Sequence, residues 1–193
     1  MMLSSLLPAV LLLSGMLAGS LLRAGFADSL VSGLLYLLLF LIGISLGSER
    51  IEIGLRDLEI PIATVAGTLL AAALASPLMG LPLRAALSVA AGFGWYTLAG
   101  PLVSGLLGAR MGTIAFLSNL LREVISLALH RVIAARLGCD ALIACGGAAS
   151  MDTFLPFVAD SCGSGGGMRS FISGFVLTLI TPLAISSFAV YLP

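Results

Sequence analysis

The chain has 193 residues, 60% of them hydrophobic and 9% charged, with a formal net charge of zero and a mean hydropathy of +1.18. A water-soluble domain carries roughly a quarter charged residues to solvate its surface, so lipid must be the solvent for most of this one. Zero net charge argues against a nucleic-acid or acidic partner. All nine basic residues are arginine, and no basic run marks a polybasic lipid-binding segment.

Spans need about 20 mostly apolar residues. The first predicted span covers about 3–22. It is apolar from Leu6, and no positive residue precedes it as a cleavable signal requires, so it reads as a span. A short turn from Arg23 to Asp28 leads to a second span over about 29–46. Residues 49–59 follow, six of eleven charged, which predicts a water or interface position with Ile51, Ile53, Leu55 and Leu58 on the headgroups. The third span is predicted over about 60–81, with Pro61 suited to a helix start. Pro82 and Arg84 mark the next turn.

From there the segments become irregular. The helix that begins at Arg84 meets Gly92-Phe-Gly-Trp-Tyr-Thr-Leu-Ala-Gly-Pro101, where three glycines and a proline disfavour a continuous helix. Residues 112–131 read as helix again. The segment 139–159 carries Gly146, Gly147 and Pro156 around Ser150-Met-Asp152 and is predicted to break. Asp160 to Gly167 reads as a flexible polar loop, and the last span as about 171–192. The expectation is an all-α, polytopic transmembrane bundle of about seven hydrophobic segments, two of them discontinuous or re-entrant. It forms one transporter domain over 1–193, with scaffold spans at about 3–81 and a functional core at about 84–192. If all seven cross, alternate loops carry four arginines on each side, so the positive-inside rule sets no orientation.

An ionisable group inside a span is costly and marks function by default. Glu123 is the clearest case. Helical spacing places Asn119, Glu123, Ser126 and His130 on one face, and Arg122 points about 100° away from Glu123. The competing reading is a Glu–Arg pair that ties two helices. Asp152 sits beside the second break, and non-helical backbone at membrane depth persists only when it is buried in protein or lines a wet cavity. The competing reading makes Asp152 the N-cap of the following half-helix. The two broken segments flank the Glu123 helix in sequence, as in transporters that hold substrate between discontinuous helices. The exposed helix ends attract carboxylate at N–H and cations at C=O. Trp95 and Tyr96 can wall a cationic substrate by cation–π contact, or serve as packing and interfacial anchors. Two acids against one arginine make the cavity net acidic, suited to a small cation, a basic amino acid or a proton.

Other chemistries find no support. His130 is the single histidine and lies at a span end, so neither a metal site nor a cofactor is expected. Cys139, Cys145 and Cys162 form no CxxC pair and read as small apolar packing residues. No GxSxG, HExxH or P-loop occurs. Asp152 is the sole mid-membrane aspartate, which argues against an intramembrane aspartyl protease, and no enzyme is expected.

At Gly92-Phe-Gly-Trp-Tyr96, Asn119-Leu-Leu-Arg-Glu123 and Gly146-Gly-Ala-Ala-Ser-Met-Asp-Thr-Phe-Leu-Pro156 the sequence resembles the bacterial lysine exporter family, LysO. Leu38-Leu-Phe-Leu-Ile-Gly-Ile44 fits an early stretch of the same family. The resemblance implies export of L-lysine and toxic analogues across the cytoplasmic (inner) membrane, driven by the proton gradient, with an essential acid in the motif that falls on Arg122-Glu123. It also implies a distant relation to cation/proton antiporters and bile-acid-type transporters, whose broken helices cross at the midplane. Longer members carry a further N-terminal region with extra spans and a second functional aspartate, to which nothing here corresponds. The resemblance therefore implies a homodimer, a small partner subunit that supplies the region, or a diverged function. Substrate or proton contacts are expected from Glu123, Asp152, Asn119, Arg122, Ser150, Trp95 and Tyr96, with helix breaks at Gly92, Gly94, Gly146, Gly147 and Pro156. The alternatives are a non-transporting membrane subunit and a transporter for another small cation.

Overall fold

The structure is a computed structural model that describes Ile44 and residues 55–191. Apart from Ile44, the predicted spans at 3–22 and 29–46, the stretch Leu38 to Ile44 and the charged residues 49–54 lie outside the described residues. Among the described residues the fold is all-helical. A 3₁₀ turn, Leu55–Leu58, leads into α1 (Glu59–Met79), α2 (Leu83–Ala90), α3 (Tyr96–Leu107), α4 (Ala109–Leu137), α5 (Cys139–Gly146), a 3₁₀ turn (Gly147–Met151) and α6 (Leu155–Tyr191). Three of these helices, α1, α4 and α6, are long and apolar enough to cross a membrane, and two shorter apolar stretches accompany them.

Helix α1 follows its predicted bounds closely. Pro61 is its third residue, where the missing N–H has no intrahelical partner to lose. Gly80 closes it in the left-handed region at φ 62°, with Gly80 N–H donating to Pro77 O and Leu81 N–H to Ser76 O. At 21 residues it spans about 30 Å, the thickness of bilayer hydrocarbon. Its Ile62, Leu70, Leu74 and Leu78 are each more than 60% exposed, an apolar outer face suited to lipid.

Asp57, in the charged stretch predicted to lie in water or at the interface, is largely buried, with Arg169 Nε 3.4 Å from its Oδ1. The same guanidinium donates to Asp140 at 2.6 Å, so one arginine draws both acids to one end of the bundle.

Two predicted breaks are shorter than expected. The first occupies only 91–95, and Pro101 lies inside α3. The break is set by backbone conformation rather than by proline: Phe93 has φ 45° and Gly94 φ 96°. In the second, Pro156 is the second residue of α6, a start position rather than an interruption. The predicted loop at 160–167 is helical within α6, whose backbone departs from helix only at Gly163, φ 72°. Two helical runs meet at this one glycine, whose missing Cβ permits the positive φ.

The cysteines also depart from expectation. Cys139 and Cys162 form a disulfide, and Cys145 is the free thiol. The bond ties the start of α5 to the first half of α6 across 23 residues, a proximity that only the chain reversal at the second break creates.

The core stripe of α4 is Gly112, Ala115, Asn119, Glu123 and Ser126, spaced three or four apart as one helical face. Its small end packs on α3: a Cβ on Gly112 would sit 2.8 Å from Gly100 O, against Ser104. Small residues of this kind let membrane helices approach closely. The polar end, Asn119 to Ser126, faces the two breaks.

Candidate functional site

The two interruptions meet. Ala148 N–H donates to Phe93 O at 2.8 Å, and a Cβ on Gly94 would lie 3.1 Å from Gly146 O. Gly147, at φ 63°, turns its α-carbon onto the Phe93 carbonyl so closely that any Cβ would collide with it. Only glycine permits both that conformation and that approach. On the far side, Gly174 of α6 lets the 3₁₀ turn pack on its backbone, since a Cβ there would fall 2.9 Å from Ala148 O.

Each interruption leaves backbone groups without helical partners, and α4 supplies replacements. Asn119 Oδ1 accepts from Gly94 N–H at 2.7 Å, while its Nδ2 donates to Val89 O at 3.0 Å and Ala115 O at 2.8 Å. Arg122 donates from Nη2 to Ala144 O at 2.8 Å, from Nε to Cys145 O at 3.0 Å, and from Nη1 to Thr68 Oγ1 at 3.3 Å. Ser126 Oγ adds a second donor to Cys145 O at 3.2 Å.

Glu123 turns the other way, into a cavity of about 240 Å³. Trp95, Tyr96, Thr97, Met151, Asp152, Thr153 and Thr178 also line it. Thr153 Oγ1 donates to Glu123 Oε1 at 2.5 Å and lies 3.4 Å from Asp152 Oδ1. Asp152 Oδ1 accepts from Thr153 N–H at 2.6 Å. A single hydroxyl proton thus stands between two carboxylates, and among the described residues neither acid pairs with an arginine. The cavity is net acidic, with one aromatic wall. Tyr96 is braced by an edge-on contact with Phe116, ring centroids 5.5 Å apart.

Of the sequence-predicted residues, Glu123, Asp152, Trp95, Tyr96 and Gly94 line this cavity. Asn119 and Arg122 lie just beneath it, with their polar atoms bonded to the breaks. Ser150 is fully buried and donates to Ile143 O at 2.8 Å, away from the cavity. Gly92 packs against the Asn119 side chain and Gly146 against Phe154. The Glu–Arg pair between helices weighed from sequence does not occur among the described residues, where Glu123 accepts from Thr153 instead. The capping reading of Asp152 is met only in part: its carboxylate holds the next amide rather than the first turn of α6. Thr153 and Thr178 were not anticipated. Thr153 could have been found as the hydroxyl adjoining Asp152 in a non-helical stretch. Thr178 carried no signal, since a threonine that donates to its own helix, here Gly174 O at 2.8 Å, is ordinary in an apolar span.

The profile of the family described as "Lysine exporter LysO" matches residues 9–189. The chain is 34% identical over 160 residues to "Lysine exporter LysO" of Escherichia coli strain K12, an alignment that covers 80% of this chain and 53% of that protein. It is 27% identical over 157 residues to a Haemophilus influenzae protein named "Putative lysine exporter", covering 79% of this chain and 80% of that one. The chain therefore spans about half the length of the Escherichia coli relative. No solved structure matches at a significant level. A match over nearly the whole chain, with helices able to span a membrane, makes this a multi-pass membrane protein that belongs to the lysine exporter LysO family.

Proposed function

We propose that this chain is a secondary transporter that exports L-lysine or a related basic amino acid across the cytoplasmic (inner) membrane in exchange for protons. The observation that carries the reading is the acidic cavity at the meeting point of the two interrupted segments, with Glu123 and Asp152 on either side of Thr153. In this reading the segments around Gly94 and Gly147 are discontinuous within the bilayer, and irregular backbone there is tolerated because it lines a cavity.

The substrate's ammonium groups sit against Glu123 and Asp152, with Trp95 and Tyr96 supplying aromatic faces. Its carboxylate faces the first turn of α3, where the amides of Tyr96 and Thr97 open the helix beside the cavity. Two ammoniums and one carboxylate match two acids and one helix N-terminus. Glu123 exchanges a proton for the substrate, so that loading and unloading alternate on one carboxylate. Asn119, Arg122 and Ser150 support the site from behind. Residues 1–193 act as one transport domain, either as a homodimer or with a small partner subunit.

A non-transporting subunit would instead hold Glu123 paired at a protein contact with no cavity reaching it. The cavity at Glu123, and the Thr153 hydroxyl rather than an arginine as that acid's partner there, favour the transporter. The test is efflux of labelled lysine from cells that express the chain, with arginine and sodium as competing cations. Export above an empty-vector control, lost in Glu123→Gln, is expected. Undiminished export in Glu123→Gln removes the role assigned to that acid, and absence of lysine efflux removes the substrate.

A further inference from the structure

We propose that Arg122 is a positioning residue: a fixed internal cation that neutralises the carbonyl end of α5 and thereby holds Asp152 and Thr153 against Glu123. Helix α5 stops at Gly146, so its last carbonyls have no partner in the next turn and carry a partial negative charge. In apolar surroundings an unpaired carbonyl is costly, because no water replaces the missing partner. Arg122 satisfies two of them, Ala144 O and Cys145 O.

Two features separate this arrangement from ordinary packing. The guanidinium lies directly beneath the crossing: a Cβ on Gly147 would be 3.4 Å from Arg122 Cζ, and one on Gly94 would be 3.9 Å from its Cδ. In addition, no carboxylate among the described residues pairs with it, so its charge answers helix-end carbonyls rather than an acid. A neutral donor could satisfy the same hydrogen bonds, but only a cation also offsets the helix-end charge. The segment thus held, Gly147 to Thr153, carries both Asp152 and the Thr153 hydroxyl that reaches Glu123. With Arg122 bonded to the α5 end and outside the cavity lining, the cavity also keeps its negative sign. Effects on substrate rest on the lysine reading above; effects on the α5 end do not.

The chain carries its own reporters. Trp95 is its single tryptophan and lines the cavity. Cys145 is its free thiol and lies at the end of α5, while the disulfide keeps the other two cysteines silent. In the purified full chain, the alkylation rate of Cys145 by N-ethylmaleimide and lysine titration of Trp95 fluorescence are measured for wild type, Arg122→Gln and Arg122→Lys.

Arg122→Gln is expected to label about tenfold faster and bind lysine about tenfold more weakly. Arg122→Lys, which keeps the charge but loses the fork, is expected to label about threefold faster and to bind within about threefold of wild type. Unchanged labelling in Arg122→Gln overturns the proposal. So does weakened lysine binding with unchanged labelling, which would place Arg122 on the substrate itself. Equal effects of glutamine and lysine overturn the role of charge. If wild type gives no lysine response, the transport reading fails and the Cys145 rates still decide this one. If Arg122→Gln does not fold, Arg122→Lys decides, and wild-type labelling there overturns the proposal.

Discussion

The Thr153 hydroxyl donates to Glu123 Oε1 at 2.5 Å, joining residues 30 apart in sequence, and lies 3.4 Å from Asp152 Oδ1. Through it the second interrupted segment hydrogen-bonds the acid of α4. Two carboxylates facing one cavity repel in a low dielectric, and a shared donor moderates that repulsion. Thr153→Val keeps the shape and removes the donor. A hydrogen bond to a charged group contributes about 1.5–3 kcal/mol, so lysine export is expected to fall about tenfold or more. Thr153→Ser, which restores a hydroxyl, is expected to stay within about twofold of wild type. Initial rates of efflux at matched protein levels decide it, and equal rates in Val and wild type exclude a role for the hydroxyl.

Asp152 separates the capping and transport readings. Asp152→Asn still accepts the Thr153 amide through its carbonyl oxygen but removes the charge. If the carboxylate meets the substrate, export drops by about tenfold or more while thermal stability changes by less than about 1 kcal/mol. Retained export with asparagine would leave Asp152 a backbone anchor. Thermal melting in detergent, run beside the efflux assay, reads both quantities.

Two glycines with similar backbone angles should behave very differently. Gly147 and Gly163 have φ 63° with ψ −133° and φ 72° with ψ −177°, backbone conformations nearly confined to glycine, so alanine is strained at both, by about 1–3 kcal/mol. Around Gly163 nothing lies within 4 Å of a built Cβ, whereas at Gly147 the Cβ would collide with the Phe93 carbonyl. Gly163→Ala is therefore expected to fold, with a melting temperature lower by a few degrees. Gly147→Ala is expected to fail to accumulate in the membrane, because the crossing cannot close. Folded, active Gly147→Ala would contradict the close approach.

The Cys139–Cys162 disulfide closes a loop of 23 residues, a length that stabilises by about 3 kcal/mol in the chain-entropy account. Cys139→Ser with Cys162→Ser is expected to lower the melting temperature, and reduction of the wild type should lower it equally. Thiol counting on denatured protein checks the assignment: one free thiol before reduction and three after.

Some of the architecture was legible because its causes are local. Apolar length specified α1 and α4, and the spacing of Asn119, Glu123 and Ser126 already placed them on one buried stripe. Glycine clusters located both interruptions. The extent of each interruption was not legible. Pro101 lies inside α3 at the cost of one helix hydrogen bond, whereas Pro156 begins α6, where the missing N–H has no intrahelical partner to lose. The run from 160 to 167 looked like a loop by composition, yet it is helical on both sides of Gly163, which alone leaves helical backbone at φ 72°.

The acidic cavity itself divides along the same line. Sequence alone determined that Glu123 and Asp152 are acids in apolar segments and that the segments carrying Gly94 and Gly147 cannot be continuous helix, since burial of charge and glycine backbone freedom are properties of the residues. Only the tertiary structure decided that those interruptions meet, that Thr153 stands between the two acids, and that Arg122 turns to Ala144 and Cys145 instead of Glu123. Those outcomes depend on which backbone groups the breaks leave unpaired in space, and Asn119, Arg122 and Ser126 go to the groups that folding brings within their reach.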